Sequence, residues 1–166
     1  MAEYQHIYHT FGPFYDSESK ILILGSFPSV KSREQGFYYG HPQNRFWKVL
    51  SAILNWKEPQ TIEEKKEMLR RNHIALWDVI EECDIIGSSD SSIKNVVPTD
   101  IPGILKETQV CYIYANGKTS GNLYQKLLKE QTGMEITVLP STSPANAACS
   151  LERLIEEYGK AIGNVL

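Results

Sequence analysis

The sequence predicts an α/β protein, a three-layer α/β/α sandwich built on a four-stranded parallel sheet. Three observations support this fold class: four short apolar segments are spread along the chain, segments with helical spacing lie between them, and the apolar segments are continuous rather than alternating. Continuous apolar strands are typical of parallel sheets, whose two faces are both buried. The alternation of strand and helix indicates right-handed crossovers between parallel strands.

Each predicted strand is an apolar run that ends at a turn residue or a polar one. The first run stops at Gly25, the second passes through Trp77 before the sequence becomes polar, the third leads into the turn signal Asn116-Gly117, and the fourth stops at Pro140. The predicted strands are residues 21–24, 74–80, 110–114 and 136–139.

The predicted helices carry apolar residues at helical spacing. Phe46 and Leu50 belong to such a stripe in the first helix, and Met68 belongs to one in the second. The last helix is predicted to have Ser143 as its N-cap and Pro144 at its first position, because both residue types favour those places. The other predicted helices are residues 44–54, 62–71 and 123–129.

Length and composition are those of one ordinary domain. The chain has 166 residues, 42% of them apolar and 22% charged, so we predict a single domain over residues 1–166, with residues 1–19 as a loosely attached N-terminal extension. No apolar run approaches the roughly 20 residues of a membrane span, and the first residues lack the basic and apolar regions of a signal peptide. We therefore expect a cytoplasmic protein with no membrane partner.

Charge and cysteine content exclude further classes. A net charge of −3 argues against a protein that coats nucleic acid through bulk charge, and leaves a local basic face open. Cys83, Cys111 and Cys149 are odd in number and far apart, which fits neither a disulfide framework nor a CxxC metal site. We interpret these cysteines as small buried hydrophobic residues.

The predicted fold also predicts where a ligand binds. In open α/β sheets, ligands bind beyond the carboxyl ends of the strands. Residues 25–44, 82–98, 115–120 and 140–144 follow the predicted strands, so we expect them to converge on one cleft.

The first of these loops is the longest and the most unusual. Small residues around Pro28 allow a ligand to approach the backbone, although the spacing of a Walker phosphate loop is absent. The run Phe37, Tyr38 and Tyr39 either stacks on a planar group or packs under the loop. Asn44 stands where an N-cap is expected.

Two other loops offer groups for an anion. The segment LPSTSPANA presents hydroxyls and amides at a predicted helix start, which suits either a phosphate or a plain capping sequence. Lys118, after the turn Asn116-Gly117, either meets an anion or lies in a solvated turn.

Several motifs in order carry a family resemblance. The runs GSFPS, LWDVI, GSSDSSI, YANG and LPSTSPANA, with HPQNRFW after the first, resemble the uracil-DNA glycosylase superfamily over roughly residues 21 to 155, and most closely its deoxyinosine (hypoxanthine) glycosylase branch. HPxNRFW also resembles the mismatch-specific uracil/thymine glycosylases. The superfamily fold, a four-stranded parallel sheet between helices, agrees with the strand count above.

The resemblance implies a monofunctional DNA repair enzyme that flips a deaminated base from damaged DNA and hydrolyses its N-glycosidic bond. Deoxyinosine is the favoured substrate and deoxyuridine stays open. This chemistry requires no metal and no organic cofactor, and we expect a monomer.

The resemblance also assigns residue roles. It places the catalytic weight on Asn44, with His41 as a donor to the leaving base; Phe27 stands where the mismatch-specific branch has a catalytic asparagine in its GINPG motif. The implied substrate-binding residues are Gly25, Ser26, Phe27, Pro28, Ser29, Tyr39, Ser89 and Asp90. The implied DNA-binding residues are Asn116, Lys118, Ser141, Thr142, Ser143 and Pro144.

Two other functions are compatible with this fold. A non-catalytic nucleic-acid or nucleotide binding module would bind DNA without forming an abasic product. A small-molecule hydrolase or nucleotide-binding protein would bind a free nucleoside tightly and show no salt-dependent affinity for DNA.

Overall fold

Strands and helices alternate along most of the chain in the computed structural model, which describes residues 3–166. The strands of that part are Gln5–Tyr8 (β1), Ile21–Gly25 (β2), Ile74–Asp78 (β3), Ile80–Ile85 (β4), Lys94–Pro98 (β5), Tyr112–Asn116 (β6) and Ile136–Leu139 (β7). The helices are Val30–Gln35 (α1), Phe46–Leu54 (α2), Ile62–Arg71 (α3), Ile101–Glu107 (α4), Lys118–Leu127 (α5), Lys129–Thr132 (α6) and Leu151–Ile162 (α7), with a single 3-10 turn at Asp90–Ser92.

The central sheet is four-stranded and parallel, which confirms the predicted fold class. Its strand order is β3-β2-β6-β7. The register sets Gly25 opposite Asp78 and Asn116 opposite Leu139. The carboxyl ends of all four strands therefore meet at one edge of the sheet.

The sheet is covered on both faces. Every residue of β2 and β3 is buried, which requires packing on either side of these strands. Helix α3 packs against β3, α5 against β6 and β7, and α7 against β7 and α2. No helix within residues 3–166 is both long enough and apolar enough to cross a membrane.

A second, antiparallel sheet was not predicted. It has the order β1-β4-β5 and arises because the predicted strand 74–80 ends at Asp78, after which the chain enters β4. Backbone N–H groups of Val79 and Ile80 donate to Gly25 and Ser26, so the break between the strands is bonded to the first loop. In β4 the apolar residues Ile80, Cys83 and Ile85 are buried and the acidic residues between them are partly exposed, as expected where only one face of a sheet is covered.

The N-terminal segment is held more firmly than the sequence analysis predicts. Strand β1 pairs with β4 over its whole length, and the backbone of Phe14 bonds in both directions to Leu76. The sequence pattern does not reveal β4, and it therefore does not reveal the strand edge with which β1 pairs. Residues 1–2 of the predicted extension lie outside the described residues.

The last helix begins later than predicted. Ser150, not Ser143, is the N-cap, and its hydroxyl accepts a hydrogen bond from the Arg153 backbone N–H at 3.1 Å. Arg45 belongs to the HPQNRFW run. Its guanidinium donates hydrogen bonds to the backbone carbonyl oxygens of Ser143, Asn146 and Cys149. Those oxygens would accept helical hydrogen bonds if the helix began at Pro144, so this contact keeps residues 143–149 in a loop.

Two smaller differences concern the start of α5 and the burial of the cysteines. Helix α5 begins at Lys118 rather than at residue 123, directly after β6 ends. The cysteine interpretation holds for Cys83, which is buried, and is wrong for Cys111, which is exposed; Cys149 is half-buried.

Candidate active site

A cavity of about 1170 Å³ opens at the carboxyl edge of the parallel sheet. Parts of all four predicted loops line it, which confirms that they converge. The lining includes residues 25–29, 88–91 and 140–146, together with Asn116 and Lys118. Among residues 3–166, no group of three or more histidine, cysteine, aspartate or glutamate side chains is placed to hold a metal ion.

Asn44 lies at the cavity wall just before helix α2. Its Oδ1 accepts two hydrogen bonds, one from the Phe46 backbone N–H at 2.9 Å and one from the Thr142 hydroxyl at 2.8 Å. A backbone N–H can only donate, so the atom facing it must be the carbonyl oxygen. The amide nitrogen Nδ2 makes no hydrogen bond within residues 3–166, and it is the free end of this side chain.

Thr142 connects Asn44 to Asn116 through a second pair of hydrogen bonds. The Asn116 Nδ2 donates to the Thr142 hydroxyl at 3.0 Å, and the Thr142 backbone N–H donates to Asn116 Oδ1 at 3.0 Å. We call these three side chains the carboxamide network. Thr142 is fully buried, and its hydroxyl and its backbone N–H both donate within this network, so its predicted contact with a DNA phosphate stays a prediction.

His41 lines the same cavity and has one nitrogen free. Its Nδ1 accepts the Gln43 backbone N–H at 3.1 Å, which places the ring proton of the neutral form on Nε2. Nε2 has no hydrogen-bond partner in the described part of the chain. The structure thus brings the two predicted catalytic residues to one cavity, each with a donor available.

The first loop contributes its predicted residues in several ways. Ser26 donates to Asp90 at 3.1 Å, which joins the loop to the 3-10 turn. Ser29 caps α1 by accepting the Ser32 backbone N–H. Phe27 lies between the cavity and the core, with the Arg33 guanidinium 5.5 Å from its ring centroid.

The pKa of the Asp90 carboxyl is raised above its ordinary value. Partial desolvation raises the pKa of its carboxyl, although the side chain still reaches solvent. The Ser26 hydroxyl opposes this rise in pKa, and the Asp78 carboxylate adds to it.

The last two of the three consecutive aromatic residues line the cavity. Phe37 and Tyr38 are buried in the core, and Tyr38 also borders the cavity. Tyr39 lines the cavity in a left-handed conformation with φ of 53°. Its ring stacks on Phe46 with 4.1 Å between centroids. Its hydroxyl is buried and has no hydrogen-bond partner of good geometry within residues 3–166.

Asp78 lines the cavity and is paired with the buried side chain of His9. The His9 Nε2 is 2.7 Å from Asp78 Oδ2, and the two side chains are 1% and 4% exposed. The Phe11 backbone N–H donates to His9 Nδ1, which places the ring proton on Nε2. The second carboxylate oxygen, Asp78 Oδ1, has no hydrogen bond to any residue of 3–166.

The loop predicted to meet DNA borders the cavity on its other side. Ser141, Ser143 and Pro144 all line it, and the Ser143 backbone N–H donates to the Ser141 hydroxyl at 3.1 Å. Lys118 is exposed at the first position of α5 and forms no ion pair within the described residues.

Comparison with known proteins decides the family. A sequence profile described as the Uracil DNA glycosylase superfamily matches residues 13–160. The chain belongs to the uracil DNA glycosylase superfamily. The match confirms the resemblance that the sequence motifs carry.

Two named relatives and one solved structure, all from Methanosarcina, are similar to this chain. A protein named hypoxanthine DNA glycosylase from Methanosarcina acetivorans is 40% identical over 83% of this chain and 87% of that protein. A protein of the same name from Methanosarcina barkeri is 38% identical, over 82% of this chain and 86% of that protein. A solution NMR structure described as a candidate uracil DNA glycosylase from Methanosarcina acetivorans has a TM-score of 0.78 at 35% identity, covering 92% of this chain and 94% of that chain.

Three residues of this superfamily member escaped sequence reasoning. Asp78 had a signal, because it is a lone acid at the end of an otherwise apolar strand. Arg45 stood inside a recognised motif and was not assigned a role. His9 had no signal, because it lies in a segment whose attachment depends on β4.

Proposed function

We propose that this chain is a DNA-deoxyinosine glycosylase that hydrolyses the N-glycosidic bond of a deaminated base. The two relatives named hypoxanthine DNA glycosylase support hypoxanthine as that base. A base inside a duplex is out of reach, so the enzyme extrudes it from damaged DNA into the cavity. The cavity volume of about 1170 Å³ leaves room for a flipped nucleotide.

The observation that carries the proposal is the fixed orientation of the Asn44 carboxamide. Glycosidic cleavage passes through an oxocarbenium-like transition state, in which the departing base gains electron density. An N–H donor that is already fixed stabilises such charge without reorganisation. Because Oδ1 of Asn44 is taken by Phe46 and Thr142, the side chain acts through Nδ2, as a donor to the departing base.

His41 supplies the second donor. Its Nε2–H is free at the same cavity and donates to the leaving base. His41 and Asn44 are three residues apart on the loop that leads into α2, and the Asn44 backbone N–H donates to the His41 carbonyl at 2.9 Å, so one short segment presents both donors.

The remaining predicted residues form two groups, one that surrounds the flipped base and one that contacts the DNA phosphates. The walls around the base come from the first loop and the 3-10 turn, namely Gly25, Ser26, Phe27, Pro28, Ser29, Tyr39, Ser89 and Asp90, all of which line the cavity. The phosphates of damaged DNA are met by Lys118, Ser141, Ser143 and Pro144 at the rim. The protein acts as a monomer, because one chain supplies every part of the cavity.

The test compares two Asn→Asp substitutions, each of which replaces one amide nitrogen of the natural protein by an oxygen. Asn44→Asp keeps an oxygen for the Phe46 N–H and the Thr142 hydroxyl, and it replaces the amide donor by an acceptor. We expect it to fold as the natural protein does and to lose about 100-fold or more in single-turnover excision from a deoxyinosine duplex with EDTA present. Asn164→Asp, at an exposed position outside the cavity lining, is the matched control and retains full excision.

Abasic sites are counted by alkali cleavage of the labelled strand. A folded Asn44→Asp variant with unchanged excision contradicts the donor role of Asn44. A natural protein that binds deoxyinosine duplexes and cuts none contradicts the glycosylase proposal and favours the non-catalytic module. Excision of deoxyuridine alone contradicts the choice of hypoxanthine.

A further inference from the structure

One arginine bonds to three backbone carbonyls of the segment that connects β7 to α7, residues 140–149, which we call the rim loop. The Arg45 Nη2 donates to the carbonyl oxygens of Ser143 at 3.0 Å and Asn146 at 3.1 Å, and Nη1 donates to that of Cys149. No carboxylate forms an ion pair with Arg45 within residues 3–166. The hydrogen bonds of this guanidinium therefore go to one loop.

The two ends of the rim loop are held by other contacts. The Tyr158 hydroxyl donates to the Pro140 carbonyl at 2.8 Å, and the Arg45 backbone N–H donates to the Thr142 carbonyl at 3.1 Å. At the other end, Ser150 begins α7 as its N-cap. Between these ends, residues 143–149 bond to the rest of the described chain only through the Arg45 guanidinium.

The sequence of the rim loop favours a conformation that it does not adopt. Ser143 suits an N-cap, Pro144 suits the first helical position, and three of the next four residues are alanine. In the structure these residues form two turns instead. The Asn146 N–H donates to the Ser143 carbonyl at 3.0 Å, and the Cys149 N–H donates to the Asn146 carbonyl at 3.2 Å. The shape of the loop is thus set by the tertiary contact with Arg45 and not by local propensity.

We propose that Arg45 is a positioning residue that holds the rim loop in its DNA-binding shape before DNA arrives. Ser141, Ser143 and Pro144 of this loop line the cavity, where the proposed function has them meet the phosphates. A loop that is ordered only on binding loses conformational entropy at that moment, so a loop that is already ordered binds more tightly. The inference rests on the proposed function and adds to it a residue that sets the affinity for the damaged duplex.

The Arg45 side chain acts on DNA binding and not on the cleavage step. The Asn44 carboxamide is held by the Phe46 N–H and the Thr142 hydroxyl, and neither group bonds to the guanidinium. Thr142 is itself fixed by Asn116 and by the Arg45 backbone N–H, which a side-chain substitution leaves in place. A change at Arg45 therefore raises the Kd for the duplex and leaves the cleavage rate of the bound state nearly unchanged.

The first test replaces the planar fork by a single ammonium group. Arg45→Lys keeps the positive charge, but one nitrogen on a shorter side chain cannot hold three carbonyls in this arrangement. We expect the Kd for a deoxyinosine duplex to rise by about 10-fold or more, and the single-turnover rate at saturating enzyme to stay within about 3-fold of the natural value. Arg71→Lys is the matched control and changes neither quantity, because Arg71 is exposed, pairs with Glu67 and lies outside the cavity lining.

The Kd is measured by fluorescence anisotropy on a duplex whose deoxyinosine carries a 2′-fluorine. The electron-withdrawing fluorine disfavours the oxocarbenium-like transition state, so the duplex stays intact during the titration. The single-turnover rate is measured on the ordinary deoxyinosine duplex. Arg45→Gln removes the charge as well and should show the same separation of binding from rate; if it does not fold, Arg45→Lys carries the test.

The second test needs no DNA. Hydrogen exchange of the free protein reports how often the Asn146 and Cys149 amides leave their turns. In Arg45→Lys these two amides should exchange about 10-fold faster, whereas those of the central strand β2 should exchange at the natural rate. A substitution that only destabilised the whole protein would speed the exchange of β2 as well.

The outcomes separate this inference from the proposed function. A folded Arg45→Lys variant overturns the inference if its Kd is natural, if its rim loop exchanges at the natural rate, or if its saturated rate falls as much as its affinity. If the natural protein binds the duplex and cuts none, the proposed function fails, and the Kd and the exchange rates still decide the inference. A natural protein that does not bind the duplex overturns both.

Discussion

Removing the Thr142 hydroxyl tests whether the carboxamide network positions Asn44. Thr142→Val keeps the shape of the buried side chain and deletes the oxygen that bonds Asn116 Nδ2 at 3.0 Å and Asn44 Oδ1 at 2.8 Å. Two hydrogen bonds are lost and the Asn116 amide is left with an unpaired donor. We expect the free energy of unfolding to fall by about 2–4 kcal/mol.

The effect on catalysis follows from the same contacts. In the variant, the Asn44 carboxamide is held by the Phe46 N–H alone and is free to turn its donor away from the base. Misplacing a catalytic group by about 1 Å costs on the order of 100-fold, so kcat for deoxyinosine excision should fall about 10- to 100-fold. KM should stay unchanged, because Thr142 is fully buried and its hydroxyl bonds only to Asn44 and Asn116.

Thr142→Ser is the matched control, because it keeps the hydroxyl and removes only a methyl group. Its kcat should return to within about 3-fold of the natural value, with a smaller loss of stability. The assay is multiple-turnover excision at a temperature where circular dichroism shows both variants folded. Natural kcat in Thr142→Val, or an equal loss in Thr142→Ser, would refute the positioning role.

Two further predictions concern space and reactivity. Gly25→Ala places a methyl group 2.5 Å from Asp78 Oδ1 and should abolish deoxyinosine excision, whereas Gly12→Ala, with no atom within 4 Å of the added carbon, should leave excision unchanged in the same assay. Burial raises the pKa of the Cys83 thiol to about 11, so at pH 8 only about one part in a thousand is thiolate. Mass spectrometry after iodoacetamide treatment of the folded protein should find exposed Cys111 modified and Cys83 protected, and Cys83 modified only after unfolding.

Local patterns predicted the parallel sheet well because its strands are buried along their whole length. All four predicted strands exist, and the rule that ligands bind beyond their carboxyl ends located the cavity. The second sheet was missed because β4 carries polar residues and contributes only one buried face. The predicted start of the last helix was wrong, because the hydrogen bonds that Arg45 donates to the loop carbonyls outweigh the capping preferences of Ser143 and Pro144.

Residue types and motif order determined the membership of the cavity, including Asn44, His41, Tyr39 and Asp90. They could not determine which atom of each side chain faces the cavity, since that depends on partners far away in sequence. Asn44 and Thr142 are 98 residues apart, and His9 and Asp78 are 69 apart. Only the tertiary structure brings these pairs within hydrogen-bond distance, and the direction of each bond then decides which group is left for the base.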